Sequence, residues 1–202
     1  MIHLRVLQWI TVVWLIVATA STSAFAITSE PALDRLRAMA TAVRSLSYSG
    51  KLVYQRADVL ANLAFQHDAV NGEEVARLRR LSGSPMERAQ TGQSLIEASP
   101  GPNVLRQGYP LPGLLNAEIR QVLDAPYRLS LESEERVADR LAQIVDVEAL
   151  DGHRHSYRFW IDQESSLLLK SQTLNIDGQV LEQFEFSELT LGVQQIEVAS
   201  GD

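Results

Sequence analysis

The amino-acid sequence predicts an α+β fold, in which a few helices cover one large, curled antiparallel sheet. Three observations support this prediction. Segments with apolar side chains at every second position recur along the chain, turn signals such as Asp177-Gly178 separate them, and only two segments show helical spacing. A single sheet of roughly nine strands curls, so the predicted architecture is an unclosed half-barrel.

The first 26 residues are predicted to be an export signal. A weakly charged start precedes an apolar run from about Trp9 to Ala18, and Ala24-Phe25-Ala26 has the pattern that a signal peptidase reads. The run is shorter than the roughly 20 residues that span a bilayer. Cleavage before Ile27 is therefore predicted, with an uncleaved N-terminal anchor as the alternative.

The composition argues against several classes of protein. The chain carries 18 Lys and Arg against 25 Asp and Glu, which gives a net charge of −7. An acidic chain is a poor match for nucleic acid, so no nucleic-acid partner is expected. The absence of cysteine excludes disulfides, thiol catalysis and Cys-based zinc sites. No cofactor is predicted.

Two helices are predicted from the spacing of apolar residues. In the first, Ser29 is placed to cap the N-terminus and Pro31 suits the first turn. Apolar residues then recur at helical spacing as far as about Leu46, and residues 47–50 are predicted to break the helix. A second, short helix is predicted within residues 114–123, after a loop rich in Pro and Gly.

Strands are predicted on both sides of the second helix. Residues 51–55 form a short strand, and apolar residues alternate through residues 59–67. Residues 74–81 and 86–91 flank the sequence Ser-Gly-Ser-Pro and are predicted to pair as a hairpin. Residues 127–132 alternate in the same way.

The C-terminal part of the chain has the clearest strand pattern. Residues 155–186 are predicted to form three strands, with turns at residues 163–166 and 176–178. Residues 135–150 are ambiguous. Their Ala, Leu, Arg, Glu and Gln favour a helix, whereas their Val-rich second half fits a strand equally well.

Apolar and aromatic residues of the strands are the candidates for a ligand cavity. Ordinary core packing explains most of them, but a curled sheet under only two helices can leave an apolar cavity for an acyl chain or an apolar peptide. The nine candidates are Tyr54, Leu63, Phe65, Leu129, Leu131, Tyr157, Phe159, Phe184 and Phe186.

A local run of arginines is the candidate partner-binding site. It consists of Arg77, Arg79 and Arg80 in an otherwise acidic chain. On a strand, Arg77 and Arg79 point one way while Leu78 and Arg80 point the other. The run is predicted either to dock an acidic partner segment or to form a solvated strand face.

Catalytic and metal-binding patterns are weak. His153 and His155 share a strand face near Asp151, but a zinc site needs a third ligand and a supporting shell, so no metal is predicted. Ser82-Gly83-Ser84 lacks the strand-to-helix context of a nucleophile elbow and fits a hairpin turn. The chain is therefore predicted not to be an enzyme.

Four segments of the chain are informative in combination. They read SYSGKLVYQR, VARLRRLSGSPMERAQ, RVADRLAQIVDVEALDGHRHSYRFWIDQESSLLLKSQTLN and GQVLEQFEFSELTLG. Together they resemble the N-terminal domain of the MucB/RseB family of periplasmic regulators. The resemblance runs from about Leu46 to Gly192 and is strongest from Arg136 onward.

The resemblance implies a fold and a function. The fold would be that of the lipoprotein carrier LolA and of LppX, an unclosed antiparallel half-barrel. The protein would bind the periplasmic segment of a MucA/RseA-like anti-sigma factor and shield it from proteolysis. Lipopolysaccharide or lipoprotein acyl chains would release it. A LolA-like lipid or lipoprotein carrier or sensor is the alternative, and homo-oligomer formation stays open.

The resemblance also implies domain boundaries. Residues 1–26 would be the signal peptide, residues 27–192 the N-terminal domain and residues 193–202 the start of a linker, with the family's smaller C-terminal domain absent. Two positions depart from the family pattern. Asp139 stands where Gly is expected, and His155-Ser156 stands where Tyr-Gly is usual. A glycine lost from a strand bend implies an altered local backbone.

Overall fold

A computed structural model describes residues 29–70, 73–85, 87–91, 94–97 and 127–192. Several predictions concern residues outside these ranges. They are the export signal, the Pro- and Gly-rich loop, the second helix and the start of the linker.

The described residues contain one helix, α1, which spans Glu30–Ser45. Its predicted extent is confirmed, and Pro31 lies in its first turn. Ser29 is the N-cap residue, but its side chain makes no capping hydrogen bond. Instead the backbone N–H of Ser29 donates to the carbonyl of Leu129 at 3.2 Å, which ties the start of α1 to the sheet.

Ten strands follow in the described parts of the chain. They are β1 Tyr48–Arg56, β2 Val59–Val70, β3 Glu73–Arg80, β4 Glu87–Thr91, β5 Ser94–Glu97, β6 Tyr127–Val137, β7 Arg140–Ala149, β8 Ser156–Asp162, β9 Leu168–Leu174 and β10 Val180–Leu191.

All ten strands form one sheet in the order β5-β4-β3-β2-β1-β10-β9-β8-β7-β6. Each neighbouring pair is antiparallel. The first and last strands lie side by side in the middle, and β5 and β6 form the two edges. The large, unclosed antiparallel sheet predicted from the sequence is confirmed.

The structure corrects one strand boundary and decides one ambiguous segment. The helix ends before residues 47–50, as predicted, but β1 begins at Tyr48 and not at Lys51, because residues 48–50 pair with both β2 and β10. The ambiguous residues 135–150 contain the end of β6 and the whole of β7, so the strand alternative is the correct one. Cross-strand pairing outweighs the helical propensity of Ala, Leu, Arg and Gln in this segment.

The core lies between α1 and the side of the sheet that α1 covers, which we call the inner face. Leu33, Leu36 and Met39 of α1 are buried there together with apolar residues of β1, β2, β3, β6, β7, β8, β9 and β10. The alternation of the strands puts every second residue on this face. Removing these side chains from water provides the main driving force for the fold.

The opposite side of the sheet, the outer face, has a small core of its own. Trp160 is only 4% exposed and packs with Val137, Ile144 and Leu169. Its indole N–H donates to a carboxylate oxygen of Glu135 at 2.8 Å, and the Lys170 ammonium lies 4.6 Å from the ring centroid. These contacts hold the end of β6 against residues of β7, β8 and β9 on the outer face.

No helix in the described ranges is both long enough and apolar enough to cross a membrane.

Candidate ligand face and partner surface

The nine predicted cavity residues lie on the inner face. Most of them are paired or neighbouring across strands: Tyr54 pairs with Phe184, and Leu52 lies between Leu63 and Phe186. Seven of the nine are at most 5% exposed and belong to the main core, namely Tyr54, Leu63, Phe65, Leu129, Phe159, Phe184 and Phe186. The structure brings these residues together as packed core, and a ligand role for them stays a prediction.

Tyr157 and Leu131 are the most accessible of the nine. Tyr157 is half-buried and stacks on Phe159, with ring centroids 6.1 Å apart and planes 5° apart. Burial raises the pKa of the Tyr157 hydroxyl, and the neighbouring Tyr127 adds to the effect. Leu131, on the edge strand β6, is 37% exposed. A ligand on the inner face would reach these two side chains first.

One end of the sheet carries polar groups on the inner face. We call it the Arg56 end, because β1, β3, β7 and β9 finish there and β2, β6, β8 and β10 begin there. The Tyr54 hydroxyl donates to Glu182 at 2.7 Å. Burial, reinforced by this hydrogen bond to a carboxylate, raises the pKa of Tyr54 to about 12. Tyr54 is thus a neutral hydrogen-bond donor at physiological pH, and the sequence pattern did not identify Glu182 as its partner.

The arginine run is divided between the two faces of β3. Arg79 is exposed, and Arg77 makes an ion pair with Glu87 across the β3–β4 hairpin, with Nε and Oε1 3.4 Å apart. Leu78 is 2% exposed in the main core, so Arg80, two residues further along the strand, shares the inner face with it. The three arginines therefore cannot act as one surface.

A cavity of about 260 Å³ also lies at the Arg56 end, between the β7–β8 loop and the β9–β10 turn. Apolar residues such as Val147 and Leu174 line it together with acidic groups. Each of these acids has an ion-pair partner: Asp146 with Arg158, Glu148 with Arg128, and Asp151 with Arg154. Arginines of the protein thus neutralise the acidic groups of the cavity. The sequence pattern did not predict this cavity.

The described histidines do not form a metal centre. No group of three or more His, Cys, Asp or Glu in the described ranges is placed to hold a metal ion. The Asp151 side chain instead accepts the backbone N–H of His153 at 3.1 Å, in a local turn. His67 is buried, and its Nδ1 lies 2.8 Å from the carbonyl of Leu46, where it fixes the chain between α1 and β1.

An unclosed sheet with a largely apolar inner face, and arginines on both faces of one strand, offers surfaces on which a partner or an apolar ligand can bind. The chain belongs to the MucB/RseB family, because the model of the MucB/RseB N-terminal domain matches residues 31–200. Family membership confirms the resemblance stated from the sequence.

Individual relatives agree with this assignment. The chain is 32% identical, over 162 residues, to the sigma-E factor regulatory protein RseB of Salmonella typhimurium, covering 77% of this chain and 50% of that protein. It is 30% identical to the sigma factor AlgU regulatory protein MucB of Pseudomonas aeruginosa, over 82% of this chain and 52% of that protein. The chain spans about half the length of the curated relatives it matches.

A solved structure extends the likeness to three dimensions. The complex structure of Pseudomonas aeruginosa MucA/MucB matches with a TM-score of 0.69 and 28% identity, over 83% of this chain and 59% of that one. The names of these relatives are those of regulators, so the family supports a binding protein over an enzyme.

Proposed function

We propose that this protein is a periplasmic negative regulator of an envelope-stress sigma factor. It binds the periplasmic segment of a MucA/RseA-like anti-sigma factor and shields that segment from proteolysis. Lipopolysaccharide or lipoprotein acyl chains compete with the segment and release it. The observation that carries the proposal is the likeness to a MucB structure solved with MucA, which covers 83% of this chain.

The outer face of β3 is the partner surface that the charges favour. Arg79 is exposed there, and Arg77 makes one ion pair within the described residues, at 3.4 Å from Glu87, whose side chain is 49% exposed. Such an exposed pair contributes little to stability, about 0–1 kcal/mol. Both guanidinium groups are therefore available for acidic side chains of an extended partner segment.

Calorimetry with the periplasmic segment of the same organism's anti-sigma factor tests the proposal. We expect micromolar or tighter binding, reversed by lipopolysaccharide. The double variant Arg77→Glu/Arg79→Glu should weaken binding about tenfold or more, because charge-assisted contacts to a partner are lost.

The matched control is Arg37→Glu/Arg44→Glu, which makes the same change in charge on exposed positions of α1. It should leave the affinity unchanged. No binding by the unaltered protein would overturn the proposed function, and equal losses in the two double variants would remove β3 from the interface.

A lipid carrier or sensor of the LolA type is the second candidate. One observation favours it: Arg80 lies on the inner face beside the buried apolar residues Leu63 and Leu78. Acyl chains recovered from the purified protein, together with no affinity for the anti-sigma segment, would establish this alternative.

A further inference from the structure

Arg80 lies among apolar residues at the Arg56 end of the inner face. It is the last residue of β3 and pairs in register with Leu63, which is 1% exposed. Leu78 precedes it on the same face at 2% exposure, and Leu81 follows it at 41% exposure. The side chain of Arg80 is itself half-buried. A permanent positive charge thus stands where the apolar core meets the end of the sheet.

This guanidinium has no counter-charge in the described parts of the chain. Arg80 makes no ion pair or hydrogen bond there, and its Nε is buried without a partner. By contrast Arg140, Arg158 and Lys170, which are also partly buried, each contact a carboxylate within 3.0 Å. A partly buried charge without a partner is costlier than an exposed one, because no protein group replaces the water that its buried Nε loses.

The other two arginines of the run have surroundings that differ from those of Arg80. Arg79 is exposed to solvent on the outer face, where an unpaired charge costs almost nothing. Arg77, on that same face, has Glu87 as a partner. Arg80 therefore combines partial burial, an apolar surrounding and no counter-ion within the described residues, which neither Arg77 nor Arg79 does.

We infer that Arg80 pairs with the anionic head of a single-chain amphiphile whose hydrocarbon chain lies against the inner face. A guanidinium presents a planar fork of N–H donors, which matches a phosphate or a carboxylate in two parallel hydrogen bonds. Of the apolar side chains beside it, Leu81 is 41% exposed and can contact a hydrocarbon tail directly at the margin of the core. The inference rests on the proposed function, in which lipids release the partner segment. It assigns the preference for anionic lipids to one residue, Arg80.

Titration calorimetry with chemically matched amphiphiles tests the inference. Octyl phosphate and octanoate carry the anionic head, octyl glucoside has the same chain without a charge, and inorganic phosphate has the charge without a chain. The unaltered protein should bind octyl phosphate about tenfold more tightly than octyl glucoside, because a charge-assisted pair contributes on that order. Inorganic phosphate alone should bind more weakly than either.

The variants are Arg80→Gln and, as the matched control, Arg79→Gln. Arg80→Gln should remove the preference for the anionic head while octyl glucoside binds as before. Arg79→Gln removes the same charge one residue away on the opposite face and should keep the preference. The melting temperature of Arg80→Gln should equal or exceed that of the unaltered protein, because the variant loses an unpaired charge.

Three results would overturn the inference: no binding of any amphiphile, equal affinity for charged and uncharged heads, or a preference that survives Arg80→Gln. The anti-sigma segment is titrated against the same variants without amphiphile. If the amphiphile experiment fails but Arg80→Gln binds the segment as the unaltered protein does, the proposed regulatory function still stands. If the unaltered protein does not bind the segment, the proposed regulatory function is wrong, whereas the role assigned to Arg80 is not contradicted.

Discussion

Gly50 shows how a single residue can determine whether two central strands fit together. A Cβ atom at this position would lie 2.2 Å from the carbonyl oxygen of Glu188 and 3.0 Å from the ring of Phe186. The pairing of β1 with β10 also shifts register between Lys51 and Leu52, directly beside it. The close approach requires a residue without a side chain, and backbone atoms cannot move aside cheaply.

We therefore predict that Gly50→Ala lowers the free energy of unfolding by about 2 kcal/mol or more. Urea denaturation followed by circular dichroism measures the loss. Ser49→Ala, on the neighbouring half-buried residue, is the control and should change stability by less than about 0.5 kcal/mol. Equal stability of the two variants would show that β10 can shift away from β1 without cost.

Asp162 is a buried carboxylate with several donors. Arg140 donates to both of its oxygens at 3.0 and 2.9 Å, and the backbone N–H of Ser165 donates at 2.8 Å. Burial alone would raise the pKa of Asp162, but the hydrogen bonds from Arg140 and Ser165 outweigh it and lower the pKa below its ordinary value. The carboxylate therefore stabilises the fold above the unfolded-state pKa, and this contribution disappears as pH falls through the lower, folded-state pKa.

Asp162→Asn should lower the free energy of unfolding at pH 7 by about 2 kcal/mol, since it removes charge-assisted hydrogen bonds from a buried site. The difference between the melting curves of the variant and the unaltered protein should begin to shrink below about pH 4, where the unfolded carboxyl takes up its proton, and should vanish only below the lower, folded-state pKa. Glu164→Gln is the control: Glu164 also contacts Arg140, but its side chain is 84% exposed. A pH-independent difference for Asp162→Asn would contradict the assigned role of its charge.

At the scale of elements, the β6–β7 hairpin combines a two-residue turn with an unusual sequence. Val137 pairs with Arg140, and both turn residues have positive φ: 50° at Ala138 and 61° at Asp139. Turns of this kind favour Gly or Asn, since a β-carbon is disfavoured in the left-handed region. This geometry explains why the family pattern led us to expect Gly at position 139.

We predict that the protein is most stable with Gly at position 139, less stable with Asp and least stable with Ala. The free energy of unfolding should differ by about 1 kcal/mol between the Gly and Ala variants. Gly relieves the strained φ, whereas Ala keeps the strain and loses the contact with Arg136. That contact is worth little, because the Arg136 and Asp139 side chains are 66% and 95% exposed. Chemical denaturation of the three proteins tests the order, and an Ala variant as stable as the Gly variant would contradict it.

The elements also show which features of the fold could be predicted from the sequence and which could not. Alternation correctly predicted β2, the β3–β4 hairpin and the three C-terminal strands, because each shows strand spacing or a clear turn signal beside it. It left residues 135–150 undecided, since their composition favours a helix and their Val-rich half favours a strand, and pairing with the neighbouring strands β6 and β8 decides between the two. The burial of Trp160 on the outer face and the missing counter-ion of Arg80 could not be predicted from the sequence. Both depend on which strands become neighbours.

At the scale of the whole molecule, the inner face is a packed core with an accessible margin. Phe159 has no exposed surface, whereas Leu131, on the same face of the edge strand, is 37% exposed. The nine predicted cavity residues therefore differ in how freely a ligand could contact them. Substitution by a charged residue separates core positions from accessible ones.

Phe159→Asp should abolish cooperative unfolding, because a large apolar side chain is replaced by a buried, unpaired charge at a cost of about 4 kcal/mol or more. Leu131→Asp is the control and should cost no more than about 1 kcal/mol. Thermal melts followed by circular dichroism distinguish the two. A folded Phe159→Asp variant would show that the inner face opens widely enough to hydrate the charge.

The central position of β1 and β10 has a mechanical consequence. The sheet consists of two five-stranded halves, and the pair of strands from the two ends of the described chain joins them. Tyr48, which begins β1, pairs with Leu191, which ends β10. Tension applied at these two residues would load the hydrogen bonds one pair at a time, because they run perpendicular to the strands. The junction would open like a zipper toward Arg56 and Glu182, at far lower force than strands pulled past each other in shear.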